Sequence, residues 1–262
     1  MTPAAVILAG SRPGAPDPLA AAAGVAHKAL IVLQGDTLLA RVAAALRAAG
    51  LERIAVSASD SAVLAEAARL GLQALPPAAG PSGSVAVALE TLGAPLLVTT
   101  ADHALLEGVW VERFLADVPA GIDVAALMAE RAEVEAAAPG TKRTYLRFAD
   151  GAWSGCNLFL LATPGAGRAL DLWKQVEADR KRPWRIVRRL GVGLLLRYVA
   201  GRLTLADAVA ALGVRADLKA TVVASPFGLA AVDVDKVADL ELVRGIVGDT
   251  DPPRHGEVAA TG

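Results

Sequence analysis

The sequence has one cysteine, Cys156, among its 262 residues, and aromatic residues make up only 4% of the chain. A single thiol excludes an internal disulfide and is typical of a protein from a reducing compartment. Cys156 is best interpreted as a small buried side chain of the core. Because alanine dominates the 54% hydrophobic fraction, we expect closely packed helices and a sizeable core.

Long hydrophobic runs and an excess of charge of one sign are also lacking. No apolar segment reaches the roughly 18 residues that a membrane span requires, and the first apolar stretch, Ala4–Ala9, follows no basic region that would mark a signal peptide. The net charge of −1 argues against nucleic acid as a partner. We therefore expect a soluble, cytoplasmic protein that binds no nucleic acid.

Strand-like and helical patterns alternate over the first hundred residues. Short apolar runs are followed by segments with helical spacing of apolar residues that end at glycine. The predicted strands are Ala4–Ala9, Arg53–Ser57 and Ala94–Thr99, and the predicted helices are Asp36–Ala49, Ser61–Leu70 and Ser84–Leu92. This alternation predicts an α/β, Rossmann-like fold, in which helices cover both faces of a mostly parallel central sheet as a three-layer sandwich.

The second half of the chain has a mixed pattern. The predicted strands are Val124–Met128, Arg143–Phe148, Asn157–Leu161, Thr221–Ala224 and Ala230–Val234, and a helix is predicted over Val237–Val247. Residues 165–215 have the pattern of a helical insertion, which is basic, with eight Lys or Arg and no Asp or Glu between Arg180 and Arg202. We expect one domain over residues 1–250 and a disordered polar tail over 251–262.

A glycine-rich loop follows the first strand. It begins at Leu8-Ala9-Gly10-Ser11-Arg12 and ends at Lys28. A turn at the end of a parallel strand leaves backbone N–H groups for phosphate oxygens, and Arg12 and Lys28 would neutralise a triphosphate. The loop has neither the Gly-Lys-Ser/Thr of a P-loop nor the Gly-x-Gly-x-x-Gly of dinucleotide sites. Taken alone, a plain surface loop is an equally good interpretation.

Carboxylates follow two of the predicted strands. Asp102 comes directly after a buried strand, where open α/β sheets bind ligands, and is well placed to hold Mg²⁺. Its alternative role is an N-cap for a helix over 105–115. Asp233 and Asp235 follow the late strand, and we expect one of them to be the second metal ligand. The alternative is that one is a helix cap and the other a solvated charge. His103 could orient a phosphate or pack, and packing is favoured.

Together these motifs make the sequence resemble the MobA-like NTP-transferase family, whose fold resembles the GT-A nucleotide-diphospho-sugar fold. The resemblance runs from about residue 4 to 247 and rests on four motifs in the family's order. They are Leu8-Ala9-Gly10 with Arg12 and Lys28 as the signature loop, Gly80-Pro81-Ser82-Gly83-Ser84 as the base-recognition segment, Thr100-Ala101-Asp102 as the metal strand, and Asp233-Val234-Asp235 as the late acidic motif. Ser11 departs from the family's usual second glycine, and the stretch before Lys28 is longer than in the molybdenum-cofactor enzymes.

The resemblance implies Mg²⁺-dependent transfer of a nucleoside monophosphate from an NTP, with release of pyrophosphate. The acceptor cannot be carried over from the family, because the basic segment is an insertion relative to the minimal domain; we expect a phosphorylated small molecule or lipid. It implies that Arg12, Lys28 and Asp102 are catalytic, and that Mg²⁺ binds Asp102 with Asp233, or with Asp235 instead. The expected nucleotide-binding residues are Leu8, Ala9, Gly10, Ser11, Arg12, Lys28, Pro81, Ser82, Gly83 and Ala101. The alternatives are a GT-A glycosyltransferase that uses a nucleotide sugar and a nucleotide-binding protein without catalysis.

Two basic segments are candidates for the acceptor side. Lys142, Arg143 and Asn157 could bind an acceptor phosphate, or could belong to an exposed strand face. The segment 180–202, which contains Trp184, could form a basic amphipathic helix that lies on an anionic membrane. The alternative for this segment is a solvated basic face packed on the core.

Overall fold

The computed structural model describes residues 2–10, 17–179 and 191–249, with the backbone alone for 175–179. Several predicted features lie outside these residues. They are Ser11 and Arg12 of the first loop, residues 180–190 of the basic segment with Trp184, and the tail 251–262.

The central feature is a sheet that has eight strands among the described residues. The strands are β1 (Ala4–Leu8), β4 (Ile54–Ser57), β5 (Gln73–Leu75), β6 (Leu96–Thr100), β7 (Val124–Glu130), β8 (Leu146–Phe148), β9 (Gly151–Leu161) and β10 (Ala220–Ser225). Their order is β10-β7-β9-β6-β1-β4-β5, with β8 beside β9. Every pair is parallel except those of β9, which runs antiparallel to β6, β7 and β8. The predicted mostly parallel sheet is confirmed.

Helices and one small hairpin surround this sheet. The hairpin pairs β2 (Val32–Leu33) with β3 (Asp36–Thr37). The described helices are α1 (Pro18–Ala22), α2 (Leu38–Ala48), α3 (Ser61–Arg69), α4 (Gly80–Leu92), α5 (Gly108–Asp117), α6 (Arg131–Ala137), α7 (Gly167–Asp179), α8 (Val192–Val199), α9 (Leu205–Arg215) and α10 (Val237–Val247). The described part of 165–215 is therefore largely helical, as predicted. In the part of the chain that is described, no helix is both long enough and apolar enough to cross a membrane.

The sheet separates two hydrophobic cores. In β1, Ala5 and Ile7 join a cluster that includes side chains of α2 and α5, whereas Ala4 and Val6 join a cluster with side chains of α4 and α7. Alternate residues of a strand point to opposite faces, and both faces of β1 are buried. This double burial explains why β1 is a continuous apolar run in the sequence, and it gives the expected three layers.

One predicted strand is wrong. Residues Ala230–Val234 form no strand; instead a 3-10 turn over Gly228–Ala231 leads into an extended loop. The segment is buried because it packs on α6 and against β7 and β9, without pairing with either strand. A short buried apolar run has the same sequence pattern in a strand and in a buried loop, so periodicity could not distinguish the two structures.

Several element boundaries also differ from the prediction. Helix α2 begins at Leu38 because the Thr37 side chain caps it and accepts a hydrogen bond from the Ala40 N–H (3.0 Å). The strand predicted from Arg143 begins only at Leu146. Helix α1 was missed, although Asp17 as N-cap followed by proline is a recognised start signal.

Gly228 supports a prediction about the packing of the 3-10 turn. A Cβ at position 228 would lie 1.9 Å from the Glu133 carbonyl oxygen, so the backbone of α6 or of the turn would have to move. We expect Gly228→Ala to lower the free energy of unfolding by about 2–3 kcal/mol or more, measured by urea denaturation.

Gly245 in α10 is the matched control, because no heavy atom lies within 4 Å of a Cβ added there. Gly245→Ala should be neutral or raise the free energy of unfolding by up to about 1 kcal/mol. Similar effects of the two substitutions would contradict the close contact between the turn and α6.

Candidate active site

The carboxyl ends of β1 and β6 lie side by side where the strand order reverses, which is the place where open α/β sheets bind ligands. The Ala101 N–H donates a hydrogen bond to the Leu8 carbonyl (3.0 Å). The Val234 N–H donates to the Asp102 carbonyl (3.0 Å). These backbone bonds bring the end of the first strand, the predicted metal strand and the late acidic motif together.

Lys28 lies between two of the three predicted metal ligands. Its Nζ is 2.5 Å from Asp102 Oδ2 and 3.1 Å from Asp235 Oδ1. Burial alone would lower the pKa of Lys28, but the two carboxylates outweigh burial and raise the pKa above its ordinary value. Lys28 therefore stays charged and neutralises part of the acidic cluster.

A buried histidine, His27, holds the backbone around Lys28. It is the N-cap of the 3-10 turn Lys28–Leu30, and its Nδ1 accepts a hydrogen bond from the Ala29 N–H (3.0 Å). Burial lowers the pKa of His27, so the ring is neutral, and an accepting Nδ1 assigns the proton to Nε2. Sequence reasoning missed this residue, because a lone histidine inside a loop carries no periodic signal.

Asp233 is held by two residues that were predicted to bind the acceptor. Arg143 donates to Asp233 Oδ1 and to its carbonyl oxygen (2.8 Å), and it lies 3.5 Å from Asp239 Oδ1. Asn157 Nδ2 donates to Asp233 Oδ2 (2.8 Å). Arg143 and Asn157 therefore contact a candidate metal ligand, whereas Lys142 is exposed beside them.

Asp239 is a further residue that sequence reasoning missed. Its Oδ2 accepts hydrogen bonds from the backbone N–H groups of Asp235 (3.2 Å) and Lys236 (3.0 Å), while its Oδ1 faces Arg143. The carboxylate thus fixes the loop that carries the late acidic motif to the start of α10. The available signal was its position in the first turn of a helix, where acidic side chains bond to free N–H groups.

The carboxylates influence one another. Burial raises the pKa of Asp233; Arg143 opposes this effect, and the neighbouring Asp102 and Asp235 add to it. Asp102 Oδ1 is buried and has no hydrogen-bond partner within the described part of the chain. A buried carboxylate oxygen without a partner is costly unless a cation or a donor meets it.

This unpaired oxygen fits a divalent cation. Carboxylate oxygens are the ligands that Mg²⁺ prefers, usually one or two of them together with phosphate oxygens and waters. Within residues 2–10, 17–179 and 191–249, no group of three or more His, Cys, Asp or Glu side chains is arranged to enclose a metal. The residues therefore fit a shared site, in which Asp102 and one late aspartate would supply the protein ligands and a phosphate-bearing substrate would complete the shell.

A bulge in β9 sets the direction of the Asn157 side chain. The pairing of β9 with β7 shifts by two residues between Ala126–Phe159 and Met128–Gly155. Inside this bulge, Asn157 has a φ of 48°, the left-handed region that asparagine tolerates better than most residues. Cys156 beside it is buried, as predicted, and burial raises the pKa of its thiol.

The structure distinguishes between the alternative roles of Asp102, as metal ligand or helix N-cap, and of His103, as phosphate ligand or packing residue. Helix α5 begins at Gly108 with Glu107 at the cap position, so the interpretation of Asp102 as its N-cap is wrong. His103 is 1% exposed and lies 6.5 Å from the Trp110 ring centroid. Burial lowers the pKa of His103 to about 4, so the ring is a neutral packing residue.

The remaining predicted nucleotide-binding residues lie at the ends of two elements. Pro81, Ser82 and Gly83 form the first turn of α4, which begins four residues earlier than predicted, and a Cβ at Gly83 would lie only 3.1 Å from the Ala78 Cβ. A helix N-terminus offers N–H groups and a partial positive charge to polar ligands. The Ala9 N–H donates to the Ser57 carbonyl (3.0 Å), so a ligand contact from this region would use the Ala9 carbonyl or Gly10.

The contact between Arg143 and Asp233 can be tested by its effect on stability. The Arg143 side chain is 9% exposed, so Arg143→Met leaves the buried carboxylate of Asp233 without its cation. We expect a loss of about 2–3 kcal/mol in the free energy of unfolding. Arg113→Met is the control, since its pair with Asp117 is exposed (60% and 33%) and should contribute less than about 1 kcal/mol. Equal losses would contradict the buried pair.

Comparison with known proteins identifies the family of this chain. A family model described as the MobA-like NTP transferase domain matches residues 5–192. A hypothetical transferase from Thermus thermophilus is 32% identical with a TM-score of 0.77, over 92% of this chain and 100% of that chain. No curated protein gives a significant match.

More distant solved structures share the fold. A nucleotidyl transferase from Methanothermobacter thermautotrophicus has a TM-score of 0.54 at 17% identity, over 95% of this chain and 98% of that one. A 4-diphosphocytidyl-2C-methyl-D-erythritol synthase from Anaerococcus prevotii has a TM-score of 0.54 at 8% identity, over 94% and 97%. With the match of the family model over most of its length, the chain belongs to the MobA-like NTP transferase family and is a nucleotidyltransferase with a GT-A-like fold.

Proposed function

We propose that this nucleotidyltransferase moves a nucleoside monophosphate from an NTP to a phosphorylated acceptor, with Mg²⁺ as cofactor and pyrophosphate as the second product. The observation that carries the proposal is the cluster of Lys28, Asp102 and Asp235 at the carboxyl edge of β1 and β6. A partly buried cation beside carboxylates provides both kinds of group that a metal-bound triphosphate needs. A nucleotide sugar would need less positive charge at this position, because it carries a diphosphate.

Asp102, together with Asp233 or Asp235, would hold Mg²⁺, which when bound would offset negative charge on the phosphates. Asp102 contributes its unpaired Oδ1. Both oxygens of Asp233 already accept hydrogen bonds, whereas the Asp235 side chain is 57% exposed. Arg143 and Asn157 would orient the Asp233 carboxylate, and with Lys142 they remain the proposed acceptor side.

The proposed reaction needs no general base. A phosphate oxygen of the acceptor attacks the α-phosphorus and forms a new P–O bond. The bond from the α-phosphorus to its bridging oxygen breaks, and pyrophosphate leaves with the electron pair. A phosphomonoester has a second pKa of about 6 and is largely ionised at neutral pH. This agrees with two buried, neutral histidines, His27 and His103, beside the site.

Lys28, with Arg12 and the N-terminus of α4, would provide positioning and charge for the NTP. The ammonium of Lys28 would bind the β- and γ-phosphates and stabilise the leaving pyrophosphate. Gly83 and Ser82 in the first turn of α4 would meet the nucleoside. Such catalysis depends on holding the reacting atoms in line rather than on proton transfer.

A thermal-shift experiment tests the nucleotide site. Each of CTP, GTP, UTP and ATP is added with and without Mg²⁺, and we expect one NTP to raise the Tm by about 5 °C or more, only with Mg²⁺. Asp102→Ala should remove the shift. Asp117→Ala, which removes an exposed carboxylate at the end of α5, should keep it.

The product distinguishes the proposed reaction from its alternatives. Release of pyrophosphate from the stabilising NTP with phosphorylated acceptors supports nucleotidyl transfer. Release of a nucleoside diphosphate from a nucleotide sugar would instead identify a glycosyltransferase. Nucleotide binding without turnover across a panel of sugar, polyol and lipid phosphates would favour a binding protein.

We also infer that α8 contacts an anionic membrane surface, where a lipid phosphate could serve as acceptor. Every residue of α8 is at least partly exposed. Val192, Leu196 and Val199 are 69%, 63% and 74% exposed, and their spacing places them on one helix face. The sequence around this apolar face is basic and has no acidic residue from Arg180 to Arg202. An apolar stripe within a basic stretch of sequence is typical of helices that lie in a membrane interface.

Liposome co-sedimentation tests this contact. We expect binding to vesicles that contain phosphatidylserine, weaker binding at high salt, and a loss of about fivefold or more in Leu196→Glu. Val109→Glu is the control, since Val109 is also exposed (51%) but lies in α5. Absence of salt-sensitive binding by the unaltered protein would remove the membrane from the proposed function.

A further inference from the structure

Two cations neutralise the acidic cluster, and they are held in different ways. Arg143 is 9% exposed and bonds to the Asp233 carboxylate, the Asp233 carbonyl and, more weakly, Asp239. Because one of these partners is a backbone carbonyl, the guanidinium is part of the loop structure. Lys28 is 21% exposed, and among the described residues its ammonium donates only to carboxylate oxygens, one each from Asp102 and Asp235.

The Lys28 ammonium lies against the carboxylate that would also bind a divalent cation. Lys28 Nζ lies 2.5 Å from Asp102 Oδ2, and Asp102 Oδ1 is the oxygen of the same carboxylate that would bind the metal. An ammonium and a divalent ion cannot both lie against the same carboxylate without strong repulsion. Lys28 must therefore leave this position before the metal can bind fully.

We propose that Lys28 is an internal counter-ion that neutralises the metal-binding carboxylates in the free enzyme and turns away from them when a triphosphate arrives. This inference rests on the proposed function, because it needs an anionic substrate that can attract the lysine. The triphosphate offers several oxygens of higher charge than Asp102 and Asp235, and the flexible side chain of Lys28 can turn towards them. The metal and the nucleotide then bind with positive coupling, and the coupling is reciprocal.

This exchange gives Lys28 two effects of opposite sign. The lysine opposes binding of the metal alone, because it competes for Asp102. It favours binding of the nucleotide, because its ammonium is attracted to phosphate. A purely structural lysine would change both affinities in the same direction, through the stability of the site.

The test measures binding of Mn²⁺, as a probe for Mg²⁺, by electron paramagnetic resonance in the absence of nucleotide. We expect the unaltered protein to bind Mn²⁺ weakly, and Lys28→Met to bind it about tenfold more tightly or better. Methionine has similar length and no charge, and Lys28→Gln serves as a second neutral variant. Lys28→Arg keeps the charge and should show no comparable gain.

Three further comparisons decide the outcome. Lys219→Met removes the same charge from an exposed side chain just before β10, at the opposite edge of the sheet, and should leave Mn²⁺ binding unchanged. Asp102→Asn in the Lys28→Met protein should abolish the gain. The stabilising NTP should bind Lys28→Met at least about tenfold more weakly.

Unchanged Mn²⁺ affinity in both neutral variants would overturn the inference, and so would an equal gain in Lys219→Met. The Mn²⁺ measurements use the metal alone, so they can be interpreted even if no NTP is turned over. Failure of nucleotide binding in the unaltered protein would count against the proposed function, whereas failure of the Mn²⁺ gain counts against the exchange of Lys28.

Discussion

Mutual repulsion among carboxylates is the constraint on which the rest of the site depends. Asp102, Asp233 and Asp235 lie close enough that the first and last raise the pKa of the second. Such a cluster is stable only if cations and donors approach it, and Lys28, Arg143 and Asn157 do so from three separate parts of the chain. The less regular features of the fold, including the 3-10 turn at Lys28–Leu30 and the bulge in β9, each deliver one of these groups.

The direction of β9 makes the arrangement possible. Its neighbours β6 and β7 both end at the ligand-binding edge, and a third parallel strand between them would present its carboxyl end there as well. Because β9 runs antiparallel to these neighbours, its first half lies at the ligand-binding edge. The first residues of β9 also pair with β8 there. A side chain in the middle of a strand, Asn157, therefore reaches a site otherwise built from strand ends and loops.

The sequence predicted the parts of the fold and site that depend on local patterns. The alternating elements gave the mostly parallel sheet, and Asp102 and Lys28 were found because they follow a strand and end a loop. The contacts of Arg143 and Asn157 with Asp233 could not be predicted, since 90 and 76 residues separate the partners. His27 and Asp239 were missed because they act on backbone N–H groups. The Ala230–Val234 segment was misassigned because burial alone does not reveal whether a strand neighbour exists.

The contacts of Lys28 span most of the chain, since its two partners are 74 and 207 residues away. During synthesis on the ribosome, β1, β4 and the Lys28 turn emerge long before Asp235 and α10 exist. A nascent chain that extends just past Asp102 contains Lys28 and Asp102, but it lacks Asp233, Asp235 and Arg143, the cation that contacts Asp233. The enzyme therefore has no complete ligand set until the chain has been synthesised beyond Asp235, so products that terminate earlier should lack a working site.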